Sequence, residues 1–370
     1  MLVYFILVLI PVITVAVQKF VVSDRYLYDE RRLFSQKKQR NTAVLLFFVF
    51  FFILLALRRE DIGADTSNYL RYFRASREYG LFEFLKFFSN EHGFYVLLKI
   101  INMLAFGNEQ LFLAIIAAAT VFPLMYFYTK ESENQLLTIS FFLILPVFTM
   151  QFSGLRQALA IALIVPAYYM VKQRKLLKFV LIVILASLFH LSALVALVLY
   201  PIYYIKWSRK MLFFIVPAIA VIYYFNAPLY IFLVSVLGEE YAGYGKISET
   251  GAFMMLLLFI LCFVFSYFMM DNEKSDEETL GLRNILVIAT ALQCFSVSNP
   301  IASRMNYYFM IFIPVLIPKI INRSSEKNRK WANIIGTVMI CYFIFYFFRR
   351  AYTGADVLNT FPYYAFWQTY

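Results

Sequence analysis

Residues 41–57 read NTAVLLFFVFFFILLAL, a stretch that as a helix would be apolar on every side. Blocks of this kind, about 15 to 22 residues long, follow one another along the whole chain, enough at 1.5 Å per residue to cross a hydrocarbon core near 30 Å. In such a layer each backbone N–H and C=O must be satisfied within the protein, so the expected fold is all-α. Of 370 residues, 62% are hydrophobic and 15% charged, with mean hydropathy +0.71. A soluble domain of this length would carry amphipathic stripes instead. The reading is a polytopic membrane protein with one integral membrane domain over 1–370. Residues 2–22 lack a basic start and a small-residue cleavage site, so they read as a retained helix and not as a signal peptide.

The formal charge of +12 comes from short cationic clusters between apolar blocks, which argues for topology signals and against nucleic acid as a partner. Cys262, Cys294 and Cys341 each lie inside an apolar block without CxxC spacing, and His92 and His190 are far apart. Neither a disulfide framework nor a metal site is expected, and no cofactor is implied. By the positive-inside rule, 23–40, 172–178, 206–210 and 319–330 face the cytoplasm; the acidic loop 271–279 joins them by parity. The extracytoplasmic side then receives loop 58–92, the turn QFSGLRQ at 151–157, the turn at His190, 227–250, SNPIASR at 298–304 and the tail 349–370. Three apolar runs, 93–106, 110–128 and 135–150, occupy an interval that needs an even number of crossings. The shortest, 93–106, would span only about 21 Å, so it reads as re-entrant or interfacial, with an error in pairing 135–150 as the alternative that serves equally well. About twelve crossings remain, with both termini outside.

Several polar groups collect on that outer face. Ser153-Gly154 breaks a helix, and Arg156 follows in the first turn of the next, where free N–H groups and the helix dipole favour an anion. A cation there opposes the dipole unless an anion is shared. In SNPIASRMNYYF, Ser298 or Asn299 can cap, Pro300 suits the first helical position and Arg304 comes a turn later. His190 and Ser192 occupy a third outer turn. Taken singly, an arginine at a membrane end is an anchor and a turn histidine is structural; it is their coincidence on one side, after helix breaks, that points to a site. Two arginines among helix starts suit a diphosphate. In LRREDIGADTSNYLRYF, Gly63 permits a tight turn, Glu60, Asp61 and Asp65 form the densest outer carboxylate group, and Tyr69 and Tyr72 follow, a combination suited to sugar binding and to deprotonating a hydroxyl.

These motifs resemble the EpsG-like, Wzy-type exopolysaccharide polymerases of bacteria, over most of the chain. RREDIGADTSNYLRYF is similar to that family's Arg-rich, Gly-x-Asp, Tyr-containing outer loop, SGLRQALAIAL to its Arg-Gln segment, ASLFHLSALVAL to its Phe-His-x-Ser-Ala-Leu turn, SRMNYYF to its Arg-x-x-x-Tyr-Phe element and PYY to its closing Pro-Tyr. The resemblance implies an all-helical membrane glycosyltransferase of the GT-C type that polymerises repeat units carried on undecaprenyl diphosphate at the outer leaflet of the bacterial cytoplasmic membrane, without metal. It implies diphosphate contacts from Arg156, Arg304 and one or both of Arg58 and Arg59, and sugar contacts from Tyr69, Gln157, Ser192 and Tyr307. Asp65 is a candidate base and His190 its alternate. Partners implied are the lipid-linked oligosaccharide, the bilayer, and a chain-length regulator and flippase of the same pathway. A flippase is the competing reading, although such a protein would line a central path with charge and show paired broken repeats.

Overall fold

The computed structural model describes residues 1–26, 41–88, 90–206, 212–237, 253–270, 275–297, 302–354, 356 and 358–368. Among them the chain is helical, with two isolated bridges, Arg58 to Ala365 and Met270 to Ser324, as its only β pairing. The order is α1 (Leu2–Tyr26), α2 (Thr42–Ala56), α3 (Thr66–Glu78), α4 (Leu81–Leu85), α5 (His92–Ala105), α6 (Glu109–Glu131), α7 (Gln135–Ile144), α8 (Pro146–Ser153), α9 (Leu155–Lys172), α10 (Leu176–Ser187), a 3-10 segment (Leu191–Val198), α11 (Leu199–Tyr203), α12 (Leu212–Tyr224), α13 (Asn226–Leu237), α14 (Phe253–Met269), α15 (Glu277–Phe295), α16 (Ser303–Met310), α17 (Ile313–Asn322) and α18 (Glu326–Thr353). Asn108, Asn134 and Asp276 cap α6, α7 and α15 by accepting from Leu111, Leu137 and Thr279 N–H groups.

By length and apolarity, α1, α6, α9 and α18 qualify as membrane spans. The count rises to seven if the bent pairs α7–α8, α12–α13 and α16–α17 are each one span. The protein is therefore a membrane protein with four to seven candidate spans among the described residues, against about twelve expected from apolar blocks. The difference has a physical origin. Run 135–150 folds as two helices bent by 61° at Pro146, and further blocks such as α2, α10 and α14 are helices of 10–17 residues, shorter than the ~20 residues a perpendicular crossing needs.

At the centre, Phe47, Phe48 and Phe51 of α2 interlock with Tyr128 of α6, Phe142 of α7 and Phe148 of α8 at ring separations of 5.0–6.0 Å. Around this core the charged groups divide between two ends. At one, Lys319 lies 3.4 Å from Glu278, 3.5 Å from Glu133 and 3.8 Å from Glu131. Lys172 adds contacts of 2.7 Å to Glu278 and 3.7 Å to Glu131, and Arg323 bonds both Glu133 and Asp276. These groups belong to 172–178, 271–279 and 319–330 or adjoin them, segments assigned one side from sequence.

The other end holds Glu91, Arg156 and the C-terminal residues. The short helix α5 has both its ends there. Glu91, just before it, bonds Arg156, while beyond it Glu109 pairs with Arg74 of α3 and Gln110 donates to the Ala56 carbonyl at the end of α2. Run 93–106 is thus a short helix whose flanking residues are bonded at that end, and run 135–150 is itself broken.

Lys319 is 6% exposed and offsets three carboxylates. Replacing it with Met leaves buried negative charge uncompensated, and Lys319→Met is expected to destabilise the fold by about 3–5 kcal/mol. Denaturant unfolding in mixed micelles checks this; a change below about 1 kcal/mol would mean the network carries little of the stability.

Candidate functional site

The loop after α2 is shaped by Gly63, whose φ of +92° is costly for any residue with a side chain. A Cβ there would lie 2.1 Å from the Phe152 carbonyl oxygen, so the loop and the end of α8 meet backbone to backbone. The Gly63 and Ala64 N–H groups donate to the Asn359 and Leu358 carbonyls, fixing the C-terminal segment over the loop. Asp65 then begins α3. Its carboxylate accepts from Ser153 Oγ at 3.1 Å, and its own N–H donates to the same oxygen at 3.2 Å. One turn on, Tyr69 is buried and hydrogen-bonded to Arg156.

Glu91 stands at the middle of this end. It precedes α5 in a left-handed conformation, φ 59°. Its Oε2 accepts from Arg156 Nη1 at 2.5 Å; its Oε1 lies 2.6 Å from His190 Nδ1 and accepts from the Leu191 N–H at 3.1 Å, at the start of the 3-10 segment. The side chain is 9% exposed. Burial alone would raise the Glu91 carboxyl pKa, but His190, Arg156 and the Leu191 N–H outweigh it and hold the group below the ordinary glutamate value. The anion that a cation at the start of α9 calls for is thus a carboxylate of the chain itself. With an ionised partner on Nδ1, His190 carries its proton there, which leaves Nε2 as the basic nitrogen.

Next to Arg156, Gln157 donates from Nε2 to the Arg304 carbonyl at 2.7 Å, bringing the starts of α9 and α16 together. The Arg304 guanidinium is partly exposed and has no carboxylate partner among the described residues. Ser192 Oγ bonds Tyr308 Oη at 2.9 Å. Tyr307 is buried beside Ser303, with the charges of Arg304 and Arg350 nearby. The caps expected from Ser298, Asn299 and Pro300 lie outside the described residues.

Arg58 and Arg59 are positioned differently. Arg59 forms a bidentate pair with Asp61, 2.7 Å for each bond, and lies 4.4 Å from the centre of the Tyr364 ring. Arg58 is 2% exposed, its Nε has no partner, and burial lowers its pKa to about 10. Both sit under the C-terminal segment, through the Arg59 N–H bond to the Tyr364 carbonyl and the bridge to Ala365.

The structure therefore gathers Asp65, Tyr69, Arg156, Gln157, His190, Ser192, Tyr307 and Arg304 around the starts of α3, α9 and α16, and sets Arg58 and Arg59 under the tail. Sequence reasoning missed Glu91. It also missed Tyr95, 3.5 Å from Arg156 Nη1, and Gln151, buried with neither amide atom partnered. Among the described residues, no three of His, Cys, Asp and Glu are grouped to hold a metal ion.

The sequence model of the EpsG family matches residues 41–365. No curated protein and no solved structure matches the chain.

Because the Glu91 pKa is depressed on folding, its contribution to stability is in place above the ordinary glutamate value of about 4.3 and is lost as pH falls through the lower folded value. Glu91→Gln is expected to lower stability at pH 7 by about 1–3 kcal/mol. The gap from wild type should close as pH falls below the ordinary glutamate value of about 4.3 and through the lower folded one, measured as thermal midpoints in detergent. A gap that persists unchanged after the carboxyl is protonated would contradict the assignment.

Proposed function

The chain belongs to the EpsG family, and from that membership we propose that it is an exopolysaccharide polymerase, a membrane glycosyltransferase that joins oligosaccharide repeat units carried on undecaprenyl diphosphate. In this reading the site faces the extracytoplasmic side of the bacterial cytoplasmic membrane. On the same reading the fold is of the GT-C type, its crossings supplied by the candidate spans. A flippase delivers the substrate, and a chain-length regulator acts with the enzyme.

The observation that supports this most is Glu91, bridging His190 and Arg156 beside Arg304. An acceptor hydroxyl needs a base, and His190 oriented through Nδ1 by a carboxylate has the arrangement of a base held by a third group. The hydroxyl proton passes to Nε2 as the oxygen attacks the anomeric carbon. The bond from that carbon to the diphosphate breaks, and the charge on the leaving oxygen is taken up by Arg304 and the face of Arg156 that Glu91 leaves open. Asp65, tied to Ser153, is the second candidate base. Tyr69, Gln157, Ser192 and Tyr307 shape the sugar site, and neutralisation of the leaving group is assigned to guanidinium groups without a metal.

Cells lacking the protein should show single repeats on the outer leaflet, and they are then complemented with wild type, Arg304→Lys or His190→Asn. Polymer should be restored by wild type and reduced at least about ten-fold by either variant, since a lysine keeps the charge but not the fork of donors. Repeats trapped on the inner leaflet would assign the protein to translocation. Full polymerisation by Arg304→Lys would remove Arg304 from the mechanism.

A further inference from the structure

Away from the charged end, α12, α14 and α15 enclose a groove of about 450 Å³ lined by Ala220, Tyr223, Leu256, Ile260, Val264 and Thr290, with no charged residue in its wall. Two of its polar side chains are turned onto backbone carbonyls: Thr290 Oγ1 donates to the Leu286 carbonyl, and Cys294 Sγ to that of Thr290 and, at 4.0 Å, to that of Ile219. Nothing in the lining calls for a polar ligand. The groove also opens sideways, since Ile260 is 38% and Val264 42% exposed. In a bilayer such a space is filled by hydrocarbon chain.

The position of the groove indicates which chain. α15 starts at Glu277, in the network of Lys319 and Arg323, and runs toward the opposite end, so Thr290 and Cys294 lie in its last third. There, Ile222 of α12 and Leu292 of α15 pack on a buried cluster of Tyr230, Phe295 and Ala302, two residues ahead of Arg304. Asn306 of α16 donates to the Ala289 carbonyl and to Gln293 Oε1, clamping α16 along the same stretch of α15. The groove thus leads, along one packed wall, to the start of α16, which carries Arg304. An apolar chain joined to an anionic head matches that sequence of surfaces.

We propose that this groove holds the polyprenyl chain of the lipid-linked substrate, with its first isoprene units between α12 and α14 and its diphosphate at Arg304. The proposal rests on the reading of the site as a diphosphate-lipid site and adds where the lipid lies. A cavity bounded by three helices and open at the side admits one branched chain from the bilayer.

The test uses the purified full chain in lipid nanodiscs and three probes: undecaprenyl diphosphate, dimethylallyl diphosphate with a single isoprene unit, and phosphatidylglycerol as competitor. Ala220→Phe and Val264→Trp fill the groove from two helices at exposed positions, and unchanged thermal midpoints certify their folding. Wild type is expected to bind the long chain at least about ten-fold more tightly than the short one, and both variants to lose most of that preference while keeping their affinity for the short probe. Retention of the full preference by both folded variants would overturn the groove and leave the proposed function standing. Equal displacement by phosphatidylglycerol would assign the groove to ordinary bilayer lipid. Failure of wild type to bind either diphosphate would overturn the groove and the substrate reading together.

Discussion

A helix that ends within or beside hydrocarbon leaves backbone groups that only protein can satisfy. Much of this structure follows from where the chain accepts that cost. The break between α8 and α9 is closed on one side by the Gly154 N–H to the Met150 carbonyl and on the other by the Ala158 N–H to the Gly154 carbonyl. The start of the 3-10 segment is met differently, by the carboxylate of Glu91 on the Leu191 N–H. Once a carboxylate is buried at a helix start it needs cations, and His190 and Arg156 are those cations or can become so. The groups that satisfy the backbone are therefore the groups available for chemistry.

The two charged ends differ in completeness. Around Lys319 each charge has opposite partners, and the Tyr168 and Tyr169 hydroxyls donate into the same network. At the other end, Arg58 Nε and Arg156 Nε have no partner, and neither amide atom of Gln151 has one. Buried polar groups are normally satisfied, so unsatisfied ones concentrate attention on function. Unpartnered atoms occur at the first end too, at Thr129 Oγ1 and Thr279 Oγ1, but those are hydroxyls, whereas the second end leaves guanidinium and amide nitrogens unpartnered.

Much of the site is legible in the sequence because charge in an apolar chain is rare and helix breakers mark where it emerges. Arg156, Arg304 and His190 each stand just after a break, and the structure brings those breaks to one end. The odd number of runs between residues 93 and 150 also announces that one is not a plain crossing, and in the structure α5 is short while run 135–150 is bent. Glu91 is not legible, because its meaning depends on residues 65 and 99 positions away and it sits in a loop whose charges balance. Arg58 and Arg59 are indistinguishable in sequence. What separates them is the tail, which stacks Tyr364 on Arg59 and buries Arg58 beneath itself. The span count failed for a related reason, since hydropathy measures how apolar a run is and not whether Pro146 bends it by 61°.

Glu91 also bears on how the proposed reaction keeps its charges in order. A carboxylate beside a diphosphate site would repel the substrate were it free, but here its charge is divided between Arg156, His190 and a helix start. Before reaction, the neutral imidazole takes little of that charge and Arg156 takes most. As a proton reaches Nε2, the imidazolium draws the carboxylate more strongly, and Arg156 is less fully neutralised at the moment the leaving diphosphate gains charge. One carboxylate shared by base and arginine would thus couple deprotonation of the acceptor to stabilisation of the leaving group, a coupling that neither Asp65, bonded to Ser153, nor Arg59, committed to Asp61, is placed to provide.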